Sequence, residues 1–270
     1  MTDIEPAVTE APVARRIDRI VAPLALFVCL YLGSLLGLFW LRLFTFHWAA
    51  LLAVVIATAG TVGLWDRGRW RLGLFVHPRR LTWELLYGIV FATVLIGAAD
   101  LLVLITTGIR HSWGSGFPYG ELLTVFIPAV FHEELLFRGY AFQRLFRMWP
   151  RLAVVGCSVA FAALHLWNDY VTPLAILNIF LGGLLLSLAY ARYERLWFPI
   201  GLHLAWNLMS GPILGYSVSG FGPEMTVLRV LGEGNTWLTG GPFGLEGSVW
   251  MTLVEGAAVV LLWGKVQEKI

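Results

Sequence analysis

Long apolar runs, separated by short polar connections, make up most of this chain and determine its predicted architecture. A helix that crosses a bilayer needs about 17–25 mostly apolar residues, because each residue adds about 1.5 Å along the helix axis. Runs of this kind occur eight times, so we predict an all-α polytopic membrane protein with eight transmembrane helices. The predicted spans are residues 20–41, 48–64, 82–107, 121–146, 152–167, 172–191, 197–216 and 248–264.

The composition agrees with a membrane protein and excludes several other classes. The chain is 58% hydrophobic and 13% charged, whereas soluble domains are about 45–50% apolar and 25% charged. Its two cysteines, Cys29 and Cys157, both stand in apolar runs, which argues against a disulfide framework or a cysteine metal site. No basic patch interleaved with aromatic residues is present, so nucleic acid is not an expected partner.

The positions of lysine and arginine predict the orientation. Fifteen of the 19 stand in the N-terminal tail, the second, fourth and sixth connections and the C-terminal tail. Three stand in the connections on the other side, and Arg138 stands inside a predicted helix. Because cytoplasmic loops are enriched in these residues, both termini are predicted to be cytoplasmic, in a protein of the plasma membrane. The predicted organisation is a disordered tail (1–19), one membrane domain (20–264) and a short tail (265–270).

The seventh connection, residues 217–247, is long and rich in glycine and proline. Two interpretations stay open for it: a lid over the membrane domain, or a re-entrant loop. No internal repeat of the inverted kind that many transporters contain is visible in the sequence.

Polar side chains that a bilayer normally excludes occur in three predicted spans. They are Glu133, Glu134 and Arg138 in the fourth span, His165 in the fifth, and His203 and Asn207 in the seventh. An ionisable side chain at the bilayer centre costs about 2.5–3.5 kcal/mol on insertion scales, so such a set needs a common explanation.

Helical spacing divides these residues into two groups. Glu134 and Arg138 are four residues apart, so they share a helix face and are predicted to form an ion pair. Glu133 is turned by about 100° from Glu134 and is predicted to face a cavity. A purely structural interpretation, in which the whole set is a buried ion-pair network that locks helices together, is weakened by this second, unpaired carboxylate.

The chemistry that these groups could share is activation of water. A carboxylate and an imidazole can deprotonate water, and a second imidazole with an amide can donate to a developing oxyanion. The alternative is a zinc site held by Glu133, His165 and His203, since histidine nitrogen and glutamate oxygen are usual ligands of catalytic zinc. The spacing differs from the His-Glu-x-x-His pattern of zinc peptidases.

At these residues the chain resembles the CPBP family, which comprises CAAX prenyl proteases and bacteriocin-processing (Abi) intramembrane endopeptidases. The family pattern is Glu-Glu-x-x-x-Arg, then Phe-x-x-x-His, then His-x-x-x-Asn or His-x-x-x-Asp. It is matched in order by Glu133-Glu134 with Arg138, by Phe161 with His165, and by His203 with Asn207. Each motif is short, but the ordered triple in apolar helices, within residues 121–216, is specific.

The resemblance implies hydrolysis of peptide bonds in membrane-associated or lipidated peptides and proteins. It implies that Glu133 and His165 activate water and that His203 and Asn207 stabilise the oxyanion or assist as ligands. Glu134, Arg138 and Phe161 are then supporting residues. The resemblance leaves open both a zinc metalloprotease and a metal-independent, glutamate-dependent enzyme.

Two other functions compete with the peptidase. One is a non-catalytic membrane immunity or scaffold protein that keeps the polar network for helix packing. The other is a proton or small-solute transporter, in which buried glutamate and histidine form a relay. The absence of a recognisable inverted repeat argues against the transporter, and the completeness of the three motifs argues against the scaffold.

Overall fold

A computed structural model of the chain describes residues 13–42, 44–74 and 76–270, so most of the predicted N-terminal tail lies outside the described residues. The main helices are α1 (Val13–Leu41), α2 (Phe46–Leu64), α3 (Pro78–Thr106), α4 (Ile127–Phe137), α5 (Tyr140–Phe146), α6 (Pro150–Leu164), α7 (Pro173–Tyr193), α8 (Trp197–Leu208) and α9 (Val249–Val266). Two short strands, β1 (Arg110–Trp113) and β2 (Leu228–Leu231), pair in antiparallel register. The predicted all-α polytopic class is confirmed, with this small two-stranded sheet added.

Six of the described helices, rather than the predicted eight, are long and apolar enough to cross a membrane: α1, α2, α3, α6, α7 and α9. The predicted fourth and seventh spans are not among them. Helix α4 has only 11 residues, two of them glutamates, and is preceded by a π-helical turn at Leu122–Phe126. Helix α8 has 12 residues and continues into a second π-helical turn, Met209–Ile213.

The second half of the predicted fourth span is wrong, because the helix breaks at Arg138 and Gly139. Arg138 leaves the helical conformation at φ −127° and ψ −1°, and α5 begins at Tyr140. A Cβ at position 139 would collide with the carbonyl oxygen of Leu135, so the turn requires glycine there. The chain after α4 therefore leaves the helix axis, and Arg138 is left at the helix end.

The arginine-rich connections gather at one end of the molecule, which we call the basic end (residues 65–74, 76–77, 138–149, 192–196 and 267–270). Tyr140 and Arg144 of α5 both bond to Asp66, at 2.7 and 2.9 Å. Lys269 pairs with Glu194 at 3.2 Å, which brings the C-terminal residues to the same end. The segregation of basic residues seen in the sequence is thus a segregation in space.

The opposite end, which we call the sheet end, contains β1, β2 and the glycine-rich connection. Arg110 of β1 is aligned with Leu231 of β2. The amide of Asn168, in the connection between α6 and α7, donates to the carbonyl of Ser219 at 2.9 Å. Residues far apart in the sequence are therefore held together over the ends of α6, α7 and α8.

Helices α3 and α8 cross at two glycines, and this crossing positions the functional helix α8. A Cβ at Gly88 would meet the backbone of Phe198 and Leu202, and one at Gly201 would meet the backbone of Leu85. Small residues allow close approach of backbones inside a membrane, where packing replaces the hydrophobic effect between helices. The close contact leaves the polar face of α8, with His203 and Asn207, directed at the cavity described next.

Candidate active site

A cavity of about 1170 Å³ lies among helices α4, α6, α7, α8 and α9. Residues 168–170 and 217–222 also line the cavity, so it extends toward the sheet end. Its size suits a peptide segment, since small-molecule pockets are about 300–1,000 Å³. The four residues predicted to be catalytic all line this one cavity: Glu133, His165, His203 and Asn207.

The predicted ion pair within α4 is present. Arg138 Nη1 lies 3.1 Å from Glu134 Oε1, and both side chains are fully buried. Arg138 Nη2 also donates to the carbonyl of Gly183 at 2.9 Å. Its guanidinium carbon lies 4.8 Å from the ring centroid of Phe161, so the motif phenylalanine contributes a cation–π contact. Helix α4 is thereby tied to both α6 and α7.

His203 connects the buried ion pair to the cavity. Its Nδ1 lies 2.8 Å from Glu134 Oε1, so the hydrogen on Nδ1 is donated to that carboxylate. Its Nε2 lies 3.7 Å from Glu133 Oε2, which is longer than a hydrogen bond. Glu134 therefore fixes the orientation of the imidazole, and the other ring nitrogen faces the second carboxylate.

Glu133 is the carboxylate that faces the cavity, as its helical position predicts. Its side chain is 26% exposed, whereas that of Glu134 is 0% exposed. Neighbouring residues of one helix are thus separated by their environment: one carboxylate is neutralised by arginine, and the other borders open space.

His165 and Asn207 complete the cavity wall from two other helices. His165 caps the C-terminus of α6, and its Nδ1 lies 2.8 Å from the carbonyl of Phe161. That bond places the hydrogen on Nδ1 and leaves Nε2 as an acceptor in the neutral ring. Asn207 follows His203 by four residues on α8, and both line the cavity.

The glycine-rich connection forms part of the cavity wall, a role on which the sequence left two interpretations open. Glu246 accepts hydrogen bonds from Trp206 Nε1 at 2.9 Å and from Ser219 Oγ at 2.8 Å. The amide of Asn178, on α7, donates to the backbone carbonyl of Glu246 at 2.7 Å. These bonds fix the connection against α7 and α8.

Sequence reasoning missed Glu246 and Asn178 as parts of this wall. Asn178 offered a signal, since it is an amide in the middle of an apolar run. Glu246 offered none, because a glutamate in a polar connection is ordinary. His47, which carried no clear signal in the sequence, also lines the cavity from the start of α2. His132 borders it and bonds through Nε2 to the hydroxyl of Tyr31 at 2.8 Å.

Asp100, in α3, bonds to one residue of β1 and to one residue that follows α8. It accepts a hydrogen bond from Tyr216 at 2.7 Å and lies 2.9 Å from His111 Nε2. Asp100, His111 and Tyr216 lie at the sheet end, outside the cavity wall.

The sequence left open a zinc site held by Glu133, His165 and His203. Among the described residues, no three His, Cys, Asp or Glu side chains converge as metal ligands would. His203 Nδ1 is committed to Glu134, and His165 Nδ1 to a backbone carbonyl, so Nε2 is the ring nitrogen that each histidine has available.

Comparison with known proteins gives a match for the central part of the chain. Residues 115–209, which include all the motif residues, match the family model described as type II CAAX prenyl endopeptidase Rce1-like. A curated Escherichia coli protein, described as an uncharacterized 24.3 kDa protein, is 36% identical over 88 residues. That match covers 31% of this chain and 39% of the E. coli protein. No solved structure matches the chain.

Proposed function

We propose that the chain is an intramembrane endopeptidase that cleaves membrane-associated or lipidated peptides, because residues 115–209 match the type II CAAX prenyl endopeptidase family model. The observation that carries the proposal is the pairing of Glu133 and His203 across 3.7 Å at the cavity wall. Glu134 orients His203 from behind, so the two carboxylates have separate tasks. A packing network alone would not need a carboxylate that borders open space.

In the first step, Glu133 acts as a general base on a water molecule that is also bound by His165 Nε2. The water proton moves to the Glu133 carboxylate, and the water oxygen forms a bond to the carbonyl carbon of the peptide. The negative charge that develops on the carbonyl oxygen is stabilised by the Asn207 amide and by Nε2–H of the His203 imidazolium. Such groups act most strongly when they are held in place beforehand, as Glu134 holds His203.

In the second step, the tetrahedral intermediate collapses and the carbon–nitrogen bond breaks. The proton held by Glu133 passes to the departing amine, which restores the carboxylate. Proton transfer by one group in both directions needs only that it lies within about 2.6–3.2 Å of each atom in turn. No metal enters either step.

The test is cleavage of fluorogenic membrane peptides, with and without a prenyl group, by the purified full chain in lipid nanodiscs. Wild type should cleave, and Glu133→Gln should lower kcat by about 10²–10⁴-fold, because the base is lost while the shape is kept. Glu121→Gln is the matched control, since Glu121 precedes α4 and does not line the cavity. If every peptide stays intact with wild type, or if Glu133→Gln cleaves as fast as Glu121→Gln, the proposal is wrong.

A non-catalytic immunity or scaffold protein is favoured by one observation. The Glu134–Arg138 pair and the Gly183 carbonyl form a fully buried link between helices, which packing alone would explain. Under that alternative Glu133→Gln and Glu134→Gln would differ only in stability, and neither would change any hydrolysis. The cleavage assay therefore separates the two functions.

We propose further that the chain crosses the membrane eight times, with α4 and α8 as two short polar crossings and both termini in the cytoplasm of a plasma-membrane protein. The concentration of arginine and lysine at the basic end supports this orientation. Residues 168–170 and 217–222 line the cavity at the sheet end, so this orientation directs that part of its wall toward the outer face of the bilayer.

The orientation can be tested by cysteine labelling in intact cells. Arg110→Cys at the sheet end should react with an impermeant maleimide, and Arg69→Cys at the basic end should react only after the cells are opened. Both parent residues are exposed, so the substitutions should not disturb folding. The reverse pattern would place the cavity on the cytoplasmic side.

A further inference from the structure

Glu255 of α9 is a buried carboxyl group that the proposed hydrolysis does not use. It is 2% exposed, yet it lines the same cavity as Glu133 and His203. Its Oε2 atom has no hydrogen-bond partner among the described residues. Burying a carboxyl group without a partner is unfavourable, so a group that lacks one and borders a cavity is poised for a ligand.

The space around Glu255 is kept open by a glycine on the facing helix. A Cβ at Gly182 of α7 would lie 3.3 Å from Glu255 Oε1, a close contact. One turn earlier on each helix, Thr252 donates to the Asn178 side chain at 2.7 Å. The polar contact fixes the two helices, and the glycine leaves room for the carboxyl group.

Apart from the His203 imidazolium of the proposed mechanism, which faces Glu133, the charged side chains of the cavity wall are acidic. Four carboxylates line it: Glu133, Asp169, Glu246 and Glu255. No lysine or arginine is among the described residues of this wall. Glu246 is held by Trp206 and Ser219, which are neutral donors and leave its negative charge uncancelled. A cavity with low-dielectric walls and one sign of charge concentrates the opposite charge.

We propose that Glu255, reinforced by Glu246, forms a specificity subsite for a lysine or arginine side chain of the bound peptide. The inference rests on the proposed peptidase function, because it assigns a substrate class to the same cavity. A cationic side chain would give Glu255 the partner that the protein does not provide, and it would offset the charge of the wall. Charge pairs enclosed at an interface are the ones in which loss of one member weakens binding most.

Binding can be measured separately from cleavage. The protein is the full chain carrying Glu133→Gln, in nanodiscs, and the probes are fluorescent membrane peptides in which one norleucine is replaced by lysine at successive positions. At one position or more, the lysine peptide should bind at least about tenfold more tightly, which corresponds to about 1.4 kcal/mol. Adding Glu255→Gln should abolish that difference, whereas Glu224→Gln, at an exposed carboxylate outside the wall, should keep it.

A second pair of variants keeps the charge and changes only the space. Gly182→Ala should weaken the binding of the lysine peptide, while Gly256→Ala, where nothing lies within 4 Å, should not. Equal affinity for lysine and norleucine at all positions, or a lysine preference that survives Glu255→Gln, overturns the subsite. If the wild type cleaves peptides without a preference for lysine, only the proposed subsite is refuted. If lysine peptides bind more tightly but no peptide is cleaved, only the proposed peptidase function is refuted.

Discussion

Arg138 offers the sharpest test of how the buried network combines stability with function. Its guanidinium contacts Glu134 at 3.1 Å, the Gly183 carbonyl at 2.9 Å and the Phe161 ring at 4.8 Å. Arg138→Met keeps a side chain of similar length and removes all three interactions. The change leaves the Glu134 carboxylate buried without its cation.

The loss of stability expected for Arg138→Met follows from these contacts. Removing one member of a buried ion pair destabilises by about 3–5 kcal/mol, and the hydrogen bond from the guanidinium to the Gly183 carbonyl is lost as well. Stabilities of whole domains are about 5–15 kcal/mol, so Arg138→Met should bring the protein close to unfolding. Arg229→Met, at an exposed arginine that bonds only to Ser112 in the described structure, should change stability by about 0.5 kcal/mol or less.

A double variant separates folding from activity. Glu134→Leu combined with Arg138→Met removes both charges, and apolar replacement of a buried pair is often neutral. It should recover most of the stability lost in Arg138→Met. It should not recover peptide cleavage, because His203 Nδ1 has lost the carboxylate that orients it.

The assay is unfolding in mixed micelles titrated with sodium dodecyl sulfate and followed by tryptophan fluorescence, with cleavage measured on the same samples. Two results would refute the reasoning. One is a free energy of unfolding for Arg138→Met within about 1 kcal/mol of that of Arg229→Met. The other is a double variant that cleaves peptides at the wild-type rate.

Three further outcomes are expected. Asn207→Ala should lower kcat about 10²–10³-fold with KM little changed, as loss of one oxyanion donor does, and an unchanged kcat would remove Asn207 from the mechanism. Treatment with a zinc chelator should leave the cleavage rate unchanged, whereas loss of activity that added zinc restores would show a metalloenzyme. Glu246→Gln should destabilise the glycine-rich connection by about 1–3 kcal/mol, because it puts an amide beside existing donors; faster proteolysis within residues 217–247, compared with Glu224→Gln, measures this.

Local geometry explains what the sequence predicted well. Glu134 and Arg138 are close because four residues make one helical turn, and this holds wherever the helix lies. The same rule separates Glu133 from Glu134 and directs it to the cavity. The apolar runs that became α1, α2, α3, α6, α7 and α9 were recognisable because a membrane span depends on length and composition.

A local break within an apolar run, and contacts between residues that are distant in the chain, were both beyond the sequence. The break at Gly139 reflects a close approach to Leu135 that apolar periodicity does not report, so the predicted fourth span ran on to residue 146. The bond from His203 to Glu134 joins residues 69 positions apart, and it depends on how α8 packs against α4.

The cavity wall shows the same division between sequence and tertiary structure. In the sequence Glu255 is a single carboxylate in an apolar run, but the structure places it at the cavity and leaves its Oε2 without a partner among the described residues. Glu246 belongs to a polar connection, and only the packing of that connection against Trp206 of α8 brings its charge to the cavity. Sequence spacing therefore determined which groups share a helix face. The tertiary structure decided which faces meet, because helix packing depends on side chains that are distant in the chain.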